Sequence, residues 1–99
     1  GIIEDRIADV PDRYVLGQNY PNPFNPSTVI EYMMPQSGEV ALVVYNPLGQ
    51  QVARLIDGFR AGGTYQVRWD AEGLPSGPYL YQLSINNEVV ASRIMTLVR

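Results

Sequence analysis

Asp70 and Glu72, two positions apart directly after Trp69, are the carboxylates whose spacing could serve acid–base chemistry or hold a hard cation such as calcium. Their setting favours a smaller role. An aspartate that follows a strand-borne tryptophan and enters a stretch with Gly73 and Gly77 caps the turn through nearby backbone. Catalytic carboxylates also want a cleft, which a small β-sandwich rarely supplies. Trp69 with Tyr65, Tyr79 and Tyr81 could form a sugar-stacking platform, but their period-two placement assigns them to core faces. Tyr45 is left as the outward aromatic, and one ring makes a poor platform. The chain has no cysteine and no histidine. That removes the thiolate nucleophile, the imidazole base, disulfides and nearly every zinc site. No catalytic residue, cofactor or metal is expected, and the cysteine count leaves the compartment open.

The arginines are the remaining reactive class, and all seven basic residues are arginine. Residues 1–13 hold Glu4, Asp5, Asp9 and Asp12 against Arg6 and Arg13, whereas the rest of the chain sets five arginines against six acids. A nearly neutral body with scattered arginines lacks the basic footprint that displaces counterions from phosphates, so nucleic acid is not an expected partner. The longest apolar run, Val40 to Tyr45, is far short of the roughly 20 residues that span a bilayer as a helix. No membrane insertion is expected. Gly1 follows neither an initiator methionine nor a leader, and reads as a cut end inside a longer chain.

The elements that must position these residues follow from periodicity. The 99 residues are 45% hydrophobic and 17% charged, enough for one globular domain with one core. No helical periodicity lasts three turns, whereas two-residue alternation recurs between turn signals. Residues 1–13 are charged, contain Pro11 and lack alternation, so they read as a linker, with the folded domain over 14–99. Seven strands are predicted: Tyr14–Gln18, Thr28–Met34, Glu39–Asn46, Gln50–Ile56, Thr64–Asp70, Tyr79–Asn86 and Glu88–Val98. Turns at 35–38, 46–49, 61–63 and 75–78, and a two-residue primed turn at Asn86-Asn87, separate them. The fold class is all-β, a seven-stranded immunoglobulin-like antiparallel β-sandwich. Its predicted core takes Ile30, Tyr32, Met34, Val40, Leu42, Val44, Tyr65, Val67, Trp69, Tyr79, Tyr81, Leu83 and Ile85. On the last strand two sets compete for the inner face, and Met95 and Leu97 are favoured inward.

Between the first two predicted strands lies Gln18-Asn19-Tyr20-Pro21-Asn22-Pro23-Phe24-Asn25-Pro26-Ser27-Thr28. Three prolines withhold backbone donors, so this cannot be a central strand. It reads as a rigid crossing between sheets, with Asn22 and Asn25 placed for local turns and Phe24 free to plug the core. This segment is followed by Val29 to Tyr32 with Pro35, by Val44-Tyr45-Asn46-Pro47-Leu48-Gly49 with Val52, and by Trp69-Asp70. Ser76-Gly77-Pro78-Tyr79 and a terminal Arg93 to Arg99 complete the pattern. In that order and spacing, residues 14–99 resemble the type A C-terminal sorting domain of type IX secretion cargo. Pro78, where a small aliphatic is usual, and Arg93 with Ile94, where a basic pair is common, depart from the family pattern.

The resemblance implies a non-catalytic domain related in fold to the immunoglobulin-like domain of the flagellar hook-cap protein. Its cargo would cross the periplasm of a Gram-negative bacterium and reach the cell surface or medium through the type IX secretion system. The implied partners are the outer-membrane secretion machinery and a sortase-like cysteine peptidase that removes the tag, besides the upstream cargo. Arg93, Met95, Leu97, Arg99, Asn22, Phe24 and Asn25 are the expected recognition residues. Ile7, Asp9, Asp12 and Arg13 mark the expected processing region, since cleavage needs extended, exposed chain. Arg93 and Arg99 also fit as edge-strand charges that discourage aggregation, and the last strand could pair with a receptor strand by its edge. The alternative is a structural immunoglobulin-like spacer or carbohydrate-binding module of a modular extracellular enzyme.

Overall fold

The computed structural model describes residues 1–8 and 10–99, residue 8 by its backbone only. Its strands are β1 (Ile2–Ala8), β2 (Val15–Leu16), β3 (Ser27–Met34), β4 (Gly38–Tyr45), β5 (Gln51–Arg60), β6 (Gly63–Asp70), β7 (Gly77–Ile85) and β8 (Glu88–Leu97). Two four-stranded antiparallel sheets, ordered β1-β6-β3-β2 and β5-β4-β7-β8, pack as a sandwich. Lettered as in immunoglobulin domains, β2, β3 and β6 take places A, B and E, while β5, β4, β7 and β8 take C′, C, F and G. The seven predicted strands are these seven. The eighth, β1, stands where strand D would.

Alternation puts one row of each strand inward, and every predicted core residue is buried, with Met95 and Leu97 of β8 among them. Each large side chain so buried contributes on the order of 2 kcal/mol. Tyr32 and Tyr65 stack at 5.2 Å, and Phe24 meets Trp69 at 6.1 Å as the plug that ends the core. The hairpin between β7 and β8 is the expected primed turn, with Asn86 and Asn87 at φ 52° and 67°. In β5, alternation breaks where Leu42 faces Ile56 but Val43 faces Arg54, leaving Leu55 as the extra residue of a bulge. Leu55 and Ile56 are consequently both buried.

The linker expected over residues 1–13 is corrected in its first part. Gly1 to Ala8 runs antiparallel to β6, with Ile2 opposite Trp69, Glu4 opposite Val67 and Arg6 opposite Tyr65. Opposed residues share a face, so the inward row of β1 reads Ile2, Glu4, Arg6. Two charges in three positions hide the strand from any hydrophobic pattern. They are tolerated because β1 lies at a seam between the sheets, where Glu4 reaches Arg60 at the end of β5. Arg60 donates from Nε and Nη2 to the two carboxylate oxygens at 2.7 and 2.8 Å. The Tyr32 hydroxyl donates to the same carboxylate at 3.2 Å. Glu4 holds the guanidinium pKa above its ordinary value, chiefly through these hydrogen bonds.

Candidate functional site

The opposite seam, between β2 and β8, is where the sequence-predicted recognition residues gather. The crossing lies along the outer edge of β8 and bonds to it as a short parallel bridge, Phe24 beside Leu97. Phe24 N–H donates to Thr96 O and Val98 N–H donates to Phe24 O, both at 2.9 Å. Asn22 Oδ1 accepts from Thr96 N–H at 3.0 Å, and Gln18 Nε2 donates to Ile94 O at 2.9 Å. Asn22 thus serves a distant strand, not the local turn its type suggests. The edge of β8 from Ile94 to Val98 is therefore already paired, which leaves no open ladder there for a receptor strand.

Two arginines anchor the end of β8, one of them across the seam. Arg93 Nε donates to Leu16 O at 2.6 Å, joining β8 to β2. Arg99 Nε donates to Leu74 O at 2.6 Å, and its backbone N–H to Ser76 Oγ at 3.1 Å, fixing Arg99 on the loop between β6 and β7. One bond per guanidinium orients each arginine and leaves its terminal nitrogens on an exposed side chain.

Beneath them a polar knot holds the crossing. Asn19 is 2% exposed, yet its backbone N–H donates to Tyr81 Oη at 2.8 Å. Its Nδ2 donates to Pro21 O and Thr28 Oγ1, and its Oδ1 accepts from Gln18. The Thr28 hydroxyl donates to Pro21 O, and the Tyr81 hydroxyl to Gly17 O at 2.7 Å. Burial pushes the Tyr81 phenol pKa up. Among the described residues no buried side-chain polar atom lacks a partner, so the knot is satisfied and rigid. Sequence reasoning placed Asn19 in the crossing without giving it this role. The signal available was an asparagine beside a proline-rich run with a core tyrosine to answer it.

The sequence-predicted residues divide by exposure. Arg93, Arg99, Asn22 and Asn25 are at the surface, whereas Phe24, Met95 and Leu97 are at most 2% exposed. Those three shape the ridge from below and offer no surface while the domain is folded. Ile7 lies within β1 and is half exposed; Asp12 and Arg13 are exposed in a bend before β2, and Asp9 lies outside the described residues. On the outer face of β4, β7 and β8, Tyr45, Pro47, Pro78, Leu80 and Ile94 line an apolar surface groove of about 460 Å³.

The competing chemistry finds other employment for its residues. Asp70 Oδ1 accepts from Glu72 N–H at 2.9 Å, the expected turn cap. Tyr65, Trp69, Tyr79 and Tyr81 are core residues, at most 6% exposed, so they form no sugar platform. The Tyr79 hydroxyl donates to Pro75 O, four residues back, as a tyrosine corner does in immunoglobulin-type domains. Among the described residues no group of three carboxylates could hold a metal ion.

No curated protein and no solved structure matches the chain. A family model described as the secretion system C-terminal sorting domain matches residues 18–97, from the start of the crossing to the end of β8. The matched stretch contains the crossing, the knot apart from Gly17, and β8, and excludes β1 and β2. The chain belongs to the family of type IX secretion C-terminal sorting domains, whose role is to direct the protein that carries them to the cell surface or medium.

Proposed function

We propose that the ridge made by the crossing and β8 is the face the outer-membrane machinery reads, with Arg93, Arg99 and Asn25 as its exposed contacts. Phe24, Met95, Leu97 and Asn22 hold that face in shape. The observation that carries this is the pair of backbone bonds joining Phe24 to Thr96 and Val98, with the two arginines anchored beside it. β8 is thereby stitched into a fixed display, which costs conformational entropy and is useful to a domain recognised while folded. In this reading the domain performs no chemistry. Its cargo, joined ahead of Gly1, passes through the periplasm of a Gram-negative bacterium, and a sortase-like cysteine peptidase cuts near the exposed Asp12 and Arg13.

Arg93→Gln with Arg99→Gln tests the face without removing the strand. Each change gives up one side-chain-to-backbone bond, about 1 kcal/mol, so the domain should stay folded. A reporter carrying the double variant is expected to accumulate in the periplasm of a host with type IX secretion. Delivery equal to that of the unaltered domain would overturn the assignment.

A further inference from the structure

β1 lies outside the seven-stranded arrangement that residues 14–99 complete, and among the described residues two features hold it. One is the antiparallel ladder to β6 from Gly1 to Ala8. The other is the seam, where Glu4 meets Arg60 and Tyr32, and Arg6 Nη2 donates to Gly62 O at 3.2 Å. Gly63 leaves the space that Arg6 fills, since a Cβ there would stand 2.5 Å from Arg6 Nε. Backbone ladder, carboxylate receptor and guanidinium seat lie in sequence along one edge. Together they are the parts of a peptide-binding groove of the strand-addition type.

We infer that the edge of β6, with Arg60, Tyr32 and Gly63, is a binding site for an extended segment carrying a glutamate and, two residues on, an arginine, and that β1 is its resident ligand. Strand and body are joined through the exposed Asp12-Arg13 bend. A chain cut at that bend therefore keeps β1, and anything attached ahead of it, bound without a covalent link. Cleavage and release become two separate steps. This consequence for delivery rests on the reading that processing falls near Arg13.

Brief trypsin treatment of the purified full chain tests this directly. Arg13 is exposed in a bend, whereas Arg6 sits within a paired strand. After the cut, native mass spectrometry is expected to find residues 1–13 still bound to residues 14–99, with the near-ultraviolet signal of Trp69 unchanged. Glu4→Gln and, from the other side of the seam, Arg60→Gln should each speed loss of the 1–13 piece about tenfold, the loss of charge-assisted hydrogen bonds. Asp5→Asn, an exposed change on the opposite face of β1, should not. The inference is overturned if the piece leaves as soon as the bond is cut, if the body unfolds on cutting, or if both seam variants release at the unaltered rate. Rapid release from a domain that still delivers cargo sinks this inference alone. Retention by a domain that delivers nothing instead sinks the delivery reading, and leaves the strand site standing.

Discussion

Tyr32 shows how much one residue can carry. Its ring stacks on Tyr65 in the core while its hydroxyl reaches the Glu4 carboxylate at the seam. Burial, then the Glu4 charge and hydrogen bond, push its pKa well above the ordinary 10.0. The unfolded chain ionises near 10 while the folded one does not, so the contribution to stability is whole below pH 10 and declines as pH rises from there toward the folded value. Denaturant midpoints measured from pH 8 to 11.5 should be level at first and then fall. Tyr32→Phe should flatten part of that fall, with Tyr81, likewise raised by burial, accounting for more. An unchanged slope in the variant would contradict the account. At this scale the core was legible, because a tyrosine at an alternating position is buried whatever its hydroxyl does. The hydroxyl's partner was not legible: Glu4 and Asn19 meet their tyrosines across 28 and 62 positions of sequence, and no local pattern encodes such a meeting.

At the scale of elements, strands with one buried face announce themselves, and β3, β4, β6 and β7 lie within two residues of where alternation places them. β5 runs four residues further than alternation places it, because a bulge at Leu55 shifts the phase midway. β1 escaped altogether, its inward positions being charged for the seam. The segment was read correctly as irregular, with Phe24 as a plug, but incorrectly as a crossing between sheets. β2 and β3 pair with each other, so the chain leaves and rejoins one sheet and only bonds to β8 of the other on the way, a contact that depends on tertiary placement. Phe24→Ala tests that bonding. Emptying its site should cost about 3–5 kcal/mol, and hydrogen exchange at the Val98 amide, which donates to Phe24 O, should accelerate by more than exchange in the β3–β6 ladder. Equal acceleration at both places would mean that the crossing does not hold β8 separately from the rest of the fold.

At the scale of the whole molecule, the sandwich is closed at two seams by different means. The β2–β8 seam uses backbone bonds, a satisfied polar knot and the anchored Arg93, and all of it but β2 and Gly17 falls within the family's matched region. The β1–β5 seam uses an ion pair whose partners are still about a quarter exposed; Arg60 and Tyr32 lie inside the matched region, and β1 with Glu4 and Arg6 outside it. On the readings proposed, the first seam builds the face that is read and the second holds a strand that can leave. The crossing and the terminal strand, which carry the resemblance, lie along the first. Only the folded structure discloses the second. The most direct measurement of the central claim follows a reporter fused ahead of residues 1–99, behind a signal peptide, in a host with type IX secretion and in the same host with that system disabled. The account predicts reporter on the surface or in the medium of the first and in the periplasm of the second; the same distribution in both would contradict it.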